Sequence, residues 1–259
     1  MINEEKIIAD WSADMYEIDE TQTDDVEFLL KCLGTTPKHV LEIACGSGRI
    51  LVPLAKAGHT VTGLDLDESM LAKIPAKAKG MNNITWKMAD VIAEDWGNGY
   101  DAVVIAGNFL MNIISEESPE YAQRLLIEKA KFALKPGGML YIDYNQTYYP
   151  NQWFVYSGER IIWQGTDSHG TNGTMSLSDS TYDPESGIIH ATRRYQLETA
   201  TGVKIHKEVP SVKHYVLLEQ LYIWLEEAGF RIEKEYGDYD GNPISESTGR
   251  AIICAMLKK

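Results

Sequence analysis

Residues 40–49, Val-Leu-Glu-Ile-Ala-Cys-Gly-Ser-Gly-Arg, constrain the fold of this chain more than any other stretch. An apolar run with an acidic residue leads into a turn of small residues. A helical pattern then opens at Ile50, Leu51, Leu54 and Ala55. A strand that feeds a glycine-rich turn and then a helix is a nucleotide-binding device. Small residues let the backbone approach a ligand, and the helix N-terminus offers N–H groups that no carbonyl of the helix accepts. A second strand-like run, Thr60–Leu64, follows, and Asp65 stands seventeen residues past Gly48. A carboxylate near that distance accepts hydrogen bonds from ribose hydroxyls.

Spacing separates three ligand classes. The dinucleotide fingerprint needs a third small residue at its sixth place, and counted from Gly46 that place holds Leu51. A phosphate-cradling P-loop needs Gly-Lys-Ser/Thr, which the chain lacks. What remains is acidic-x-small-x-Gly-x-Gly with a carboxylate at the end of the next strand. This pattern resembles the class I S-adenosylmethionine (SAM) methyltransferase family. Ala44 stands where that family usually has glycine. Alanine disfavours φ > 0, so the expectation here is a slightly different turn with the site retained.

Further family motifs follow in order. Asn83 to Val91 looks like the third strand, Tyr100 to Asn108 like the fourth, and Ala133-Leu134-Lys135-Pro136-Gly137-Gly138 into Met139–Asp143 like the helix end, turn and fifth strand. The resemblance covers about residues 38–146 and resumes at about 214–259. It implies an α/β fold: a Rossmann-like seven-stranded methyltransferase sheet with helices on both faces. Added to it are an N-terminal helical cap (residues 1–37) and a small antiparallel β insertion (residues 147–213).

Local patterns support that division. Val26, Leu29, Leu30 and Leu33 make an apolar helical stripe closed by Gly34, with Asp24 placed to cap it. Asp67 and Ser118-Pro119 are starts of further helices. Between 147 and 213 the strand–helix alternation stops. About four strand-like runs appear there, separated by turns such as Asp183-Pro184-Glu185-Ser186-Gly187. The insertion carries Trp153, Phe154, Tyr156 and Trp163. It is expected to shape the acceptor pocket or a homodimer interface, the alternative being a small core of its own.

Composition excludes some partners. The 259 residues include 24 Lys and Arg against 38 Asp and Glu, a net charge of −14, with no basic run. Nucleic-acid binding rests on cations that neutralise phosphate, so that class is disfavoured. The first residues, Met-Ile-Asn-Glu-Glu-Lys, lack a signal-peptide pattern, and no apolar stretch reaches spanning length. Three scattered cysteines, Cys32, Cys45 and Cys254, read as reduced thiols of a cytoplasmic protein.

The resemblance assigns roles residue by residue. Glu42, Ala44, Gly46 and Gly48 form the SAM loop. Arg49 is the partner for the SAM carboxylate, and Asp65, with Leu66 and Met70, lies on the ribose side. Asp90 and Val91 read the adenine. Ala106, Gly107 and Asn108 end the fourth strand, where ligands bind in such sheets. Tyr16 belongs to a segment, Ala9–Tyr16, that resembles a lid over SAM. Asp143-Tyr144-Asn145 should face the methyl group, so Tyr144 and Asn145 are the catalytic candidates. His169, His190, His206 and His214 are candidate bases for a hydroxyl acceptor.

The motifs of amino-methylating DNA and protein enzymes (Asn/Asp-Pro-Pro-Tyr), of cytosine-carbon methylation (Pro-Cys) and of Mg²⁺-dependent O-methylation are absent. The expectation is therefore metal-independent methylation of a small molecule, with an amine acceptor first and a hydroxyl or carboxyl second. A macromolecular methyltransferase and a SAM-binding protein that does not methylate are the alternatives.

Overall fold

Alternating apolar runs and capped helices organise the chain as α1 (Glu4–Asp19), α2 (Asp24–Leu33), β1 (His39–Ile43), α3 (Leu51–Lys56), β2 (Thr60–Asp65), α4 (Glu68–Leu71), α5 (Ile74–Lys77), β3 (Ile84–Met88), β4 (Tyr100–Ile105) and α6 (Phe109–Asn112). There follow α7 (Pro119–Ala133), β5 (Leu134–Asn145), α8 (Pro150–Phe154), β6 (Tyr156–Thr166), β7 (Asn172–Tyr182), β8 (Ile188–Glu198), β9 (Lys204–His214), α9 (Leu218–Glu227), β10 (Phe230–Tyr236) and β11 (Arg250–Leu257). The structure is a computed structural model and describes residues 3–113, 115 and 117–258. It divides into two units, Met1–Gln22 with Tyr149–Lys213, and Thr23–Tyr148 with His214–Lys259.

The larger unit is a seven-stranded sheet in the order β10-β11-β5-β4-β1-β2-β3. Pairing is parallel from β5 through β3, and β11 runs antiparallel to both β5 and β10. Helices connect the parallel strands, so both faces of the sheet are covered and its centre is continuously apolar. Ala102, Val103, Val104 and Ile105 of β4 are wholly buried. Strand order reverses between β1 and β4, and the crevice at their carboxyl ends is where such sheets bind ligands. This is the Rossmann-like methyltransferase fold expected from the sequence.

Capping fixes where the helices begin. Ser118 Oγ accepts the Tyr121 N–H (3.0 Å), with Pro119 at the first helical position of α7. Asp67 accepts the Ser69 and Met70 N–H groups at the start of α4. At α2 the cap position falls on Thr23, one residue before the expected Asp24, and Gly34 closes the helix at φ 74°.

The smaller unit is the antiparallel sheet β6-β7-β8-β9 with α1 packed on it. Ile8, Trp11 and Met15 bury one face of α1 against Met175, Tyr195, Leu197 and Ile205. Gly165 lets α1 approach closely here: a Cβ there would lie 2.8 Å from Met15 Sδ, so the methionine side chain would have to shift. Trp11 Nε1 donates to the Gly165 carbonyl at 3.2 Å. The expected cap of residues 1–37 is thus divided: α1 goes with the insertion strands, and α2 packs in the core of the larger unit. Trp163 packs against the small core, and its indole N–H donates to Asp19. Trp153 stays 47% exposed. Among the described residues, no helix is long and apolar enough to cross a membrane.

Candidate active site

The glycine loop follows β1, with Ala44 at φ 57°, Gly46 at φ 52° and Gly48 at φ 79°. The expected detour around Ala44 does not occur; alanine itself takes the left-handed angles. The surrounding bonds over-determine the turn. Cys45 N–H donates to Leu64 O (3.0 Å), Gly48 N–H to Cys45 O (2.9 Å), and Gly46 N–H to Asp65 Oδ2 (2.7 Å). Lys77 Nζ adds a bond to Ser47 O at 2.8 Å. Left-handed backbone costs a residue with a Cβ about 1–2 kcal/mol, against about 0.5–1 kcal/mol for glycine's added chain entropy. Ala44→Gly should therefore raise the unfolding free energy by about 0.5–1 kcal/mol. Urea titration checks this, and a lowered midpoint would count against the reading.

Asp65 staples β2 to the loop. Besides Gly46, its carboxylate accepts the Asp67 N–H at 2.8 Å, and burial pushes its carboxyl upward. Leu66 beside it is 67% exposed. Met70 reaches the same loop, its Cε lying 3.8 Å from where a Cβ on Gly46 would be.

Glu42 lies on β1, only 4% exposed, and among the described residues its Oε2 has no hydrogen-bond partner. Burial pushes its carboxyl well above the usual range, with Arg49 pulling the other way and Asp65 and Asp25 adding to the rise. The folded state therefore holds this proton more tightly than the unfolded chain. That stabilisation is complete below the unfolded value and is lost as pH rises through the folded one. Glu42→Gln keeps the shape without the titration, so its stability advantage over wild type should widen from about pH 5 to pH 8. Thermal melts across that range test it; parallel curves would contradict it.

Arg49 is not poised as an open cation. Its guanidinium forks onto Asp25 of α2, with Nη1–Oδ1 2.8 Å and Nη2–Oδ2 2.6 Å, both side chains largely buried. A bidentate guanidinium–carboxylate pair outcompetes a solvated geometry. Asp25 lies outside every glycine-loop pattern, and nothing in its local sequence marks it.

Asp90 closes its own turn, Oδ1 accepting the Ile92 and Ala93 N–H groups. Val91 is buried, and its carbonyl accepts from Lys129 Nζ (2.8 Å) and Trp96 Nε1 (2.9 Å). Lys129 of α7 also holds the carbonyls of Ile92 and Glu94. It bolts this loop in place, a role the sequence reading missed.

At the ends of β4 and β5 a polar chain forms. Gly107 and Asn108 take left-handed angles, and Asn108 Oδ1 accepts the Asn145 N–H at 2.6 Å. Arg250 Nη1 donates to Asn145 Oδ1 (2.9 Å), and Arg250 Nε and Nη2 donate to Asp143 Oδ1 (2.7 and 2.6 Å). The Tyr239 hydroxyl donates to Asp143 Oδ2 at 2.8 Å. Arg250 and Tyr239 come from the far end of the chain and were not foreseen as site residues.

Tyr144 does not join this chain, which corrects its assignment as a residue facing the methyl group. Successive strand residues point to opposite faces, so Tyr144 turns away from Asp143 and Asn145. It is wholly buried, and its hydroxyl donates to the Val216 carbonyl at 3.3 Å.

Tyr16 lies on α1 in the smaller unit, half-buried. His214 is a packing residue, 7% exposed with Nδ1 2.6 Å from Gln123 Oε1, whereas His169, His190 and His206 are exposed. No group of three or more His, Cys, Asp or Glu side chains is placed to hold a metal among the described residues.

The family model described as a methyltransferase domain matches residues 40–138, from β1 into β5. Residues 40–138 are a methyltransferase domain, and the fold around it is that of the class I SAM-dependent methyltransferases. The chain is 28% identical over 222 residues to a protein of Geobacillus sp. (strain WCH70) named as a methyltransferase, a match covering 84% of both chains. Over 142 residues it is 28% identical to the glycine N-methyltransferase of Rattus norvegicus, a match spanning 49% of this chain and 48% of the rat enzyme. Its fold is similar to that of a SAM-dependent methyltransferase from Clostridium acetobutylicum ATCC 824, with TM-score 0.74 at 14% identity over 99% of this chain and 100% of the other.

Proposed function

We propose that this methyltransferase methylates the nitrogen of a small-molecule amine. The observation that carries the cofactor side of this reading is the oxygen of buried Glu42 that lacks a partner among the described residues, beneath the glycine loop and beside Asp65 and Arg49. A buried acceptor without a donor costs about 1–3 kcal/mol, which a ligand cation would offset. The ammonium of SAM is such a donor. Asp65 would accept from the ribose hydroxyls, with Leu66 and Met70 against the adenosine. Asp90 and the Val91 backbone, held by Lys129, would read the adenine. Gly46 and Gly48 let the main chain approach. Bound SAM supplies a methyl group on a sulfonium that leaves without acid assistance.

The chain's own residues then have to align the acceptor, and alignment alone carries a large share of such a rate. Asn108 and Asn145 present neutral amides at the ends of β4 and β5, and the Asp143 carboxylate is already engaged by Arg250 and Tyr239. Amides orient an amine that arrives deprotonated, and they do not extract a proton from a hydroxyl. The likeness to a glycine N-methyltransferase points the same way. The net charge of −14 and the three free thiols favour a cytoplasmic enzyme acting on no polyanion.

Screening amines, hydroxy acids and phenols for S-adenosylhomocysteine release tests the acceptor class. Turnover on amines is the expected result; turnover confined to hydroxyl acceptors or to RNA would overturn it. Asn145→Ala should lower turnover about tenfold, the loss of one positioning hydrogen bond, with SAM affinity held. Full turnover in this variant would remove Asn145 from the site.

A further inference from the structure

Opposite the cofactor end of the sheet, the larger unit holds a cavity of about 560 Å³ between α2 and the sheet. Cys32 of α2 and Cys254 of β11 both line it, together with Lys31, Lys38 and Lys234. Both side chains belong to the same packed cluster, and each thiol is the largest influence on the other's titration. Their environments differ. Cys254 is 4% exposed and Cys32 only half-buried. The Cys254 S–H and the Lys234 ammonium draw the Cys32 thiol below its usual range against the opposing effect of burial, whereas Cys254 is pushed far up. An accessible sulfur that favours the anion thus stands beside a buried, protonated one. That is the arrangement of an attacking and a resolving thiol.

We propose that Cys32 and Cys254 form a peroxide-reactive dithiol that closes to an intramolecular disulfide. The Cys32 thiolate attacks one oxygen of hydrogen peroxide, the O–O bond breaks, and Cys32 becomes a sulfenic acid while hydroxide leaves and takes a proton to give water. Cys254 sulfur then attacks Cys32 sulfur. The S–S bond forms, the S–O bond breaks, and the departing hydroxide takes the Cys254 proton. Two thiols lose two electrons and two protons, and one peroxide becomes two waters. Cys45, buried under the glycine loop with its thiol pushed up by burial, does not take part. The new bond would tie α2, whose first turn carries Asp25, to β11.

The test treats the folded full chain with a small excess of hydrogen peroxide, blocks free thiols, and counts them after denaturation. Wild type should fall from three thiols to one, lose about 2 Da in intact mass, and yield a Cys32–Cys254 cross-linked peptide that dithiothreitol releases. Cys32→Ser should keep both remaining thiols at the same dose. Cys254→Ser should instead accumulate a sulfenic acid at Cys32 that dimedone traps. Three retained thiols in wild type, a disulfide between two chains, or over-oxidation of Cys32 with Cys254 free would each overturn the proposal. Peptide mapping of wild type decides the matter even if a variant does not fold.

Discussion

Arg250→Met lowers the unfolding free energy by about 3–5 kcal/mol, because it leaves a buried carboxylate without its counter-charge. The Asp143 side chain is 1% exposed and that of Arg250 is 20% exposed. Burial already pushes the Asp143 carboxyl upward, and the Arg250 guanidinium is the largest influence holding it down. Without Arg250, the Tyr239 hydroxyl remains as the side-chain donor to that carboxylate among the described residues. The variant's Asp143 therefore holds a proton more tightly when folded than when unfolded. By linkage its stability is recovered toward acid pH, below the unfolded value, and lost as pH rises through the raised one. Asp143→Leu combined with Arg250→Met should regain much of the loss, since a well-packed apolar pair often replaces a buried ion pair at little cost. Urea unfolding of the three proteins measures all of this. A loss under about 1 kcal/mol for the single variant would mean that Asp143 is satisfied in some other way.

The parts of this methyltransferase readable in its sequence are those set by local pattern. The glycine loop, the carboxylate at the end of β2 and the break in alternation near residue 147 are contiguous signals. Each survived because period and turn chemistry are decided within a few residues. What escaped was tertiary. Asp25 of α2 meets Arg49 of the turn before α3, and Arg250 meets Asp143 across two strands more than a hundred residues apart in the chain. Neither pairing leaves a local mark. The Tyr144 error was one of strand parity: a shift of one residue changes the face, and the run from Asp143 to Tyr148 gives no polar alternation to fix it. Ala44 failed for another reason. Intrinsic preference argues against left-handed alanine, but the bonds of Cys45, Gly46 and Gly48 to their neighbours outweigh a penalty of about 1–2 kcal/mol. The packing of α1 with β6 to β9 was likewise invisible, because an amphipathic helix states that it has an apolar face and not which sheet will cover it.

Asp65→Ala is the variant on which the account of the cofactor site turns. Its carboxylate accepts from the Gly46 and Asp67 N–H groups. Each carboxylate oxygen has capacity for a further bond, and the reading gives that capacity to the two ribose hydroxyls. Removing it takes away charge-assisted acceptors for the ligand and one staple of the loop that receives it. The expected cost is about 2–3 kcal/mol, or roughly 30- to 150-fold in affinity. Titration calorimetry of SAM and of S-adenosylhomocysteine into wild type and Asp65→Ala measures it directly, with thermal melts showing that both chains are folded. The account predicts one ligand per wild-type chain and a loss of that size in the variant. Equal affinities, or no binding of either ligand to folded wild type, would contradict it.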